Sequence, residues 1–115
     1  PVRILATHLG LRRWERRRQI DRVLPRIQSP KARRTILLGD FNEWWPWSRN
    51  LRSLKSPFRH SAAPPTFSSS WPFLALDRIL VSPDLKLKKY HVFKRPETRS
   101  ASDHLPLTAR IVVPR

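Results

Sequence analysis

Short apolar runs alternate with polar stretches along most of this chain, and their periods predict a mixture of strands and helices. Val2 to Thr7 reads as a first strand, with His8 to Gly10 as its exit loop. Leu11, Trp14, Val23, Leu24 and Ile27 then recur at roughly helical spacing. They predict a helix from about Leu11, with Ile20 off the stripe and Pro25 kinking or ending it. Ser29-Pro30-Lys31 predicts a turn into a second strand, Thr35 to Gly39, where Gly39 supplies a permissive backbone as the chain leaves the sheet. Strand, helix and strand in this order predict a βαβ-like layer whose polar stops share one edge.

Beyond Asn42 the pattern is more broken. Glu43-Trp44-Trp45-Pro46-Trp47-Ser48 precedes a short amphipathic stretch carrying Leu51 and Leu54, and Pro46 suits a helical first turn. Residues 56–72, rich in Ser and Pro, read as an extended surface loop. Further strands are expected at Leu76 to Val81, about Lys88 to Phe93, and Leu107 to Val112, with Ser82-Pro83-Asp84 turning between the first pair. Arg95 to Ala101 reads as a polar loop. The fold class is therefore α/β (α+β).

Polar residues recur where these runs stop. Ile36-Leu37-Leu38-Gly39-Asp40-Phe41-Asn42 drives an apolar strand into a carboxylate and an amide. Thr7-His8-Leu9, Leu76-Asp77-Arg78-Ile79-Leu80 and Ser102-Asp103-His104-Leu105-Pro106 repeat the theme. Taken together and in this order, these segments resemble the endonuclease/exonuclease/phosphatase superfamily of metal-dependent phosphodiesterases, which includes the DNase I-like nucleases. The Asp-His pair followed by Leu-Pro is the most distinctive part of the match, and Thr66-Phe67 resembles the short strand placed before the Asp-Arg motif. The resemblance implies a DNase I-like four-layer αββα sandwich, of which this chain would form half, with a mixed β-sheet and one main helix. In that family a metal-binding glutamate and an early asparagine precede the histidine matched by His8. Residues 1–115, which contain no methionine, are accordingly expected to be the carboxyl-terminal part of a single domain whose amino-terminal half is absent.

The resemblance also implies roles. Asp40 orients or deprotonates the attacking water, and the Asn42 amide positions phosphate or water. His104 contacts the scissile phosphate and shuttles a proton, with Asp77 holding its imidazole in the useful tautomer. His8 donates to the phosphate or acts as an acid toward the leaving oxygen. Mg²⁺ or Mn²⁺ is the implied cofactor, held through Asp103 and Asp40, because hard cations take oxygen ligands. Zinc is disfavoured by the absence of cysteine and of paired-histidine spacing. Arg78 and Trp44 are the expected substrate contacts, whereas His60 and His91 match no motif.

Charge narrows the substrate class. The 24 Lys and Arg against 8 Asp and Glu give a formal net charge of +16, which creates a field that gathers polyanions. Nucleic acid or another phosphodiester polyanion is the expected partner, with Trp44, Trp45, Trp47 and Trp71 as candidate stacking platforms. Trp beside Pro on loops also suits an anionic lipid surface. The expected function is metal-dependent, nuclease-type phosphodiester hydrolysis in the complete protein. The alternatives are a phospholipid phosphodiesterase or phosphatase of the same superfamily, and a non-catalytic basic nucleic-acid-binding fragment. An uncovered half-sandwich also predicts a homodimer. Composition leaves the compartment open between cytoplasm and cell envelope.

Overall fold

In the computed structural model, which describes residues 1–28 and 33–115, the first strand β1 (Arg3–His8) pairs in parallel with β2 (Thr35–Asp40). They are joined through helix α1 (Arg13–Ile27). This is the βαβ unit the pattern predicts; the turn expected at Ser29-Pro30-Lys31 lies outside the described residues. Strand β4 (Asp77–Val81) runs antiparallel on the other side of β2, and the short β3 (His60–Ala62) completes a mixed four-stranded sheet of order β1-β2-β4-β3. Strands β5 (Lys86–Val92) and β6 (Leu107–Val112) form a separate two-stranded antiparallel sheet.

The central strands are apolar at consecutive positions because both faces of the sheet are covered. Leu37 and Leu80 point to one side, where they pack with Ile20 and Ile27 of α1 and with Leu51 and Leu54 of α2 (Arg49–Lys55). Ile36, Ile79 and Val81 point to the other, against Leu87, Leu107 and Ile111 of the two-stranded sheet. Helices, mixed sheet and hairpin sheet thus stack as layers around the central strands.

Several expected details change. The inward stripe of α1 runs through Arg16, Ile20 and Ile27, with Val23 and Leu24 packed beside it, so Ile20 is central to the stripe. Leu11 precedes the helix and is 82% exposed, and Trp14 is 56% exposed. The stripe is masked in the sequence because a charged residue, Arg16, occupies an inward position. Pro25 lies inside the helix without ending it; only its own missing N–H is lost, and Gln28 still donates to the Leu24 carbonyl at 2.9 Å. Pro46 lies in a turn ahead of α2, whose N-cap is Ser48, accepting from Leu51 N at 3.1 Å. The 56–72 segment contains β3, which pairs with β4. Residues expected as a loop at Arg95 to Ala101 include helix α3 (Pro96–Ala101), begun by proline and steadied where Thr98 Oγ1 accepts from Arg95 N at 2.9 Å.

Candidate active site

Strand register assembles the first part of the site. His8 is opposite Asp40 across the parallel pair, and Asp40 is opposite Asp77 across the antiparallel pair. The polar stops of three neighbouring strands therefore form one row, on the sheet face that carries Leu38 and Ile79. Gly39 makes this row possible. Its φ is 143°, and a Cβ there would lie 1.7 Å from the Thr7 carbonyl oxygen. Only glycine lets β2 keep its pairing and deliver Asp40 beside His8.

His104 arrives from the loop ahead of β6. Its Nδ1 is 2.7 Å from Asp77 Oδ2, and its Nε2 is 3.5 Å from Asp40 Oδ2. His8 Nε2 is 3.4 Å from the same Asp40 oxygen, and Asp103 Oδ1 is 3.9 Å from His104 Nε2. These groups line a common cleft of about 540 Å³ together with Trp44, Phe67 and Ser102. The expected convergence on one rim is what the structure contains.

The charges in this cleft affect one another. Burial pushes the Asp40 pKa above its ordinary value, with the Asp77 charge adding to the rise, while a backbone N–H from Asn42 and the two histidines oppose it. For His104, burial favours the neutral ring, but the hydrogen bond to Asp77 and the charges of Asp77, Asp40 and Asp103 prevail and raise its pKa. Asp40, Asp77 and His104 can each offer a ligand atom, all within 4.8 Å of one another, so this acidic cluster could hold a metal ion. Crowded, partly buried carboxylates fit a cation, which would relieve the repulsion that raises Asp40.

One expected role is corrected by burial. Arg78 is 5% exposed, its side chain shares the helix-covered face with Leu80, and its Nε is buried without a partner. Burial lowers its pKa, against the attraction of Glu43. A cation placed behind the sheet does not reach a substrate in the cleft. Asn42 lines the cleft, but its amide nitrogen is directed inward and donates to the Leu9 carbonyl at 2.5 Å. Its φ of 51° turns the chain, and its N–H donates to Asp40 Oδ1 at 2.9 Å. Asn42 therefore ties the exit loops of β1 and β2 together and orients Asp40. One N–H of the amide expected to position phosphate or water is thus engaged by the Leu9 carbonyl. Trp44 is exposed and lines the cleft.

The structure adds residues without a role in the sequence reading. Thr66, fully buried, donates from Oγ1 to Asp77 Oδ2 at 2.5 Å, and the Phe67 ring lies 5.2 Å from the His104 ring. Thr66-Phe67 is visible as a short motif, but only the tertiary fold joins it to the Asp77–His104 pair. Behind the site, Glu43 accepts from Arg16 Nε at 2.6 Å and from Asn50 Nδ2 at 3.0 Å.

The model of the Endonuclease/Exonuclease/phosphatase family matches residues 3–104. No curated protein matches the sequence. Among solved structures, the chain resembles a functionally unknown conserved protein from Enterococcus faecalis V583 at 19% identity and a TM-score of 0.76, over 96% of this chain and 50% of the other. An endonuclease/exonuclease/phosphatase family protein from Bacteroides thetaiotaomicron aligns at 19% identity and a TM-score of 0.70, over 97% of this chain and 50% of the other. A mannosyl-6-phosphatase from the same organism aligns at 19% identity and 0.69, over 95% and 50%. The chain thus spans about half the length of these structures, and the likeness to them is one of fold. With the family match extending across the strands that carry His8, Asp40 and Asp77 and on to His104, the chain belongs to the endonuclease/exonuclease/phosphatase family.

Proposed function

We propose that the complete protein hydrolyses phosphodiesters with the help of Mg²⁺ or Mn²⁺, acting as a nuclease. The observation that supports this reading most strongly is His104, whose imidazole spans Asp77 at 2.7 Å and Asp40 at 3.5 Å on the rim where His8 also approaches Asp40. Asp40 orients the attacking water and draws off its proton; burial raises its pKa and so makes it a better base than an exposed carboxylate. Asp77 fixes the tautomer of His104 through Nδ1, leaving Nε2 to donate to a phosphoryl oxygen. The high pKa of His104 favours the cation, which stabilises charge developing on the phosphoryl group. His8, with its side chain 77% exposed, donates to the departing oxygen. Asp40, a member of the cluster whose ligand atoms lie within 4.8 Å of one another, would hold the ion with Asp103 of the same cleft as its second carboxylate, and the ion supplies Lewis-acid stabilisation of the phosphoryl oxygens when bound. The formal charge of +16 favours a polyanionic diester over a small neutral ester.

Hydrolysis of bis(p-nitrophenyl) phosphate and of oligonucleotides by the full-length protein tests this reading, with and without Mg²⁺ or Mn²⁺. Metal-dependent cleavage that is lost in Asp40→Ala is expected. Cleavage of phosphomonoesters alone, or full activity in Asp40→Ala, would refute it.

A further inference from the structure

The cleft at the candidate site does not end there. It shares Leu11 and Trp44 with a second groove of about 570 Å³ between the start of α1 and the loop ahead of α2. Trp45 and Trp47 line that second groove and are 62% and 69% exposed, with ring centroids 5.5 Å apart. It shares Arg13 and Arg49 in turn with a third groove holding Trp14 and Arg17. Aromatic rings and guanidinium groups therefore recur along one continuous path that starts at the catalytic rim.

The path carries a positive charge that folding does not use. Among the described residues, Arg13, Arg49 and Arg52 make no ion pair. Glu43, the acidic residue lining the second groove, is buried and occupied by Arg16, and Arg17 is paired with Asp21 at 2.7 Å. Leaving large rings exposed is costly, and among the described residues core packing accounts for none of Trp14, Trp45 or Trp47. Stacking on bases does account for them, since every base has a π-face, and unpaired Arg beside them suits the intervening phosphates. A lipid surface fits less well, because concave grooves in series do not present a protruding apolar edge to a bilayer.

We infer that this path binds single-stranded nucleic acid, holding the bases that flank the scissile phosphate on Trp45 and Trp47 and the backbone on Arg13, Arg49 and Arg52. This names the substrate class of the site and rests on the phosphodiesterase reading above. It predicts a preference for unpaired strands, because bases stacked within a duplex cannot lie on the rings.

Fluorescence anisotropy with labelled oligo(dT), oligo(U) and a blunt duplex, in chelator and over a range of salt, tests the inference directly. Trp45→Ala/Trp47→Ala should weaken single-strand binding about tenfold or more with little change for duplex, and Trp45→Phe/Trp47→Phe should retain most of the affinity. Arg49→Gln/Arg52→Gln should flatten the salt dependence by about 1.4 in log–log slope, for two lost phosphate contacts. Unchanged single-strand affinity in the Trp→Ala variant would overturn the inference. So would binding to phosphatidylglycerol vesicles, but not to oligonucleotides, by the wild-type protein. Hydrolysis of bis(p-nitrophenyl) phosphate by the wild-type protein tests the catalytic reading separately from strand binding. If wild-type protein binds strands in this Trp-dependent way yet cleaves no diester, the path stands and the catalytic reading fails. Cleavage of the small diester without Trp-dependent binding is the reverse result.

Discussion

Asp40 and Glu43 are neighbours in the chain and both are partly or wholly buried, yet the protein treats them in opposite ways. Burial raises the pKa of each. At Glu43 hydrogen bonds from Arg16, Asn50 and Ser48 outweigh that burial and bring the pKa below its ordinary 4.5. At Asp40 the single backbone donor from Asn42 does not, and Asp77 adds repulsion, so the pKa stays above its ordinary 3.8. Glu43 is satisfied and serves the fold. Asp40 is left with few donors, in a cleft whose other groups approach it at 3.4 and 3.5 Å without forming a tight pair. A carboxylate used for structure is surrounded by donors, whereas one suited to chemistry retains unmet capacity.

The largest effect that can break this contrast is on catalysis. His104→Ala or Asp40→Asn in the full-length protein should lower metal-dependent diester hydrolysis by about 10²-fold or more, as loss of an acid–base group does. Asp40→Asn should at the same time leave thermal stability unchanged or raise it when measured in chelator, since it removes a carboxylate that folding makes harder to ionise. A marked fall in its melting temperature would show that Asp40 is structural after all.

Glu43→Ala should do the reverse. Arg16 would be left buried without its counter-charge, costing about 3–5 kcal/mol in denaturant unfolding. Turnover per folded molecule should remain close to wild type. A stability change of a few tenths of a kcal/mol would mean that Gly10 and Leu11, whose carbonyls accept from Arg16 Nη1 at 3.2 and 2.6 Å, are sufficient partners.

Titration sharpens the comparison at a smaller scale. Because the folded pKa of Glu43 is lowered, its contribution to stability is complete above the unfolded value near 4.5 and is lost as pH falls through the folded pKa. Glu43→Gln should therefore flatten the acid limb of stability against pH. The raised pKa of His104 acts on the other side: the imidazolium is favoured below its folded pKa, so its contribution fades as pH rises through that value, which lies above 6.5. NMR titration of the His104 ring checks the direction.

The smallest effect is expected from Thr66→Val. Removing the 2.5 Å hydrogen bond to Asp77 should loosen the Asp77–His104 pair and reduce turnover severalfold, equivalent to about 1 kcal/mol. A shift of the His104 titration in the same variant separates this positioning role from simple loss of packing.

Much of the site was legible because each strand announces its own end. The apolar runs before His8 and Asp40, and the run after Asp77, locate the edge of the sheet without any knowledge of the partners, since a strand covered on both faces must be apolar until it leaves the core. The strand–helix–strand order likewise implies the parallel pairing of β1 with β2. Arg16 and Arg78 were misleading for one reason: a charge reads as surface in a sequence, whereas both side chains are buried, Arg16 against Glu43 from a distant segment. Asn42 carried two possible uses in its side chain. Its proximity to the Leu9 carbonyl, set by the register of β1 against β2, adds a structural one. The sequence by itself thus determined where the chain stops being apolar and which polar groups stand there. Tertiary structure decided which of those groups face the cleft, which are neutralised behind it, and that Thr66 supports Asp77, because these outcomes depend on contacts between segments far apart in the chain.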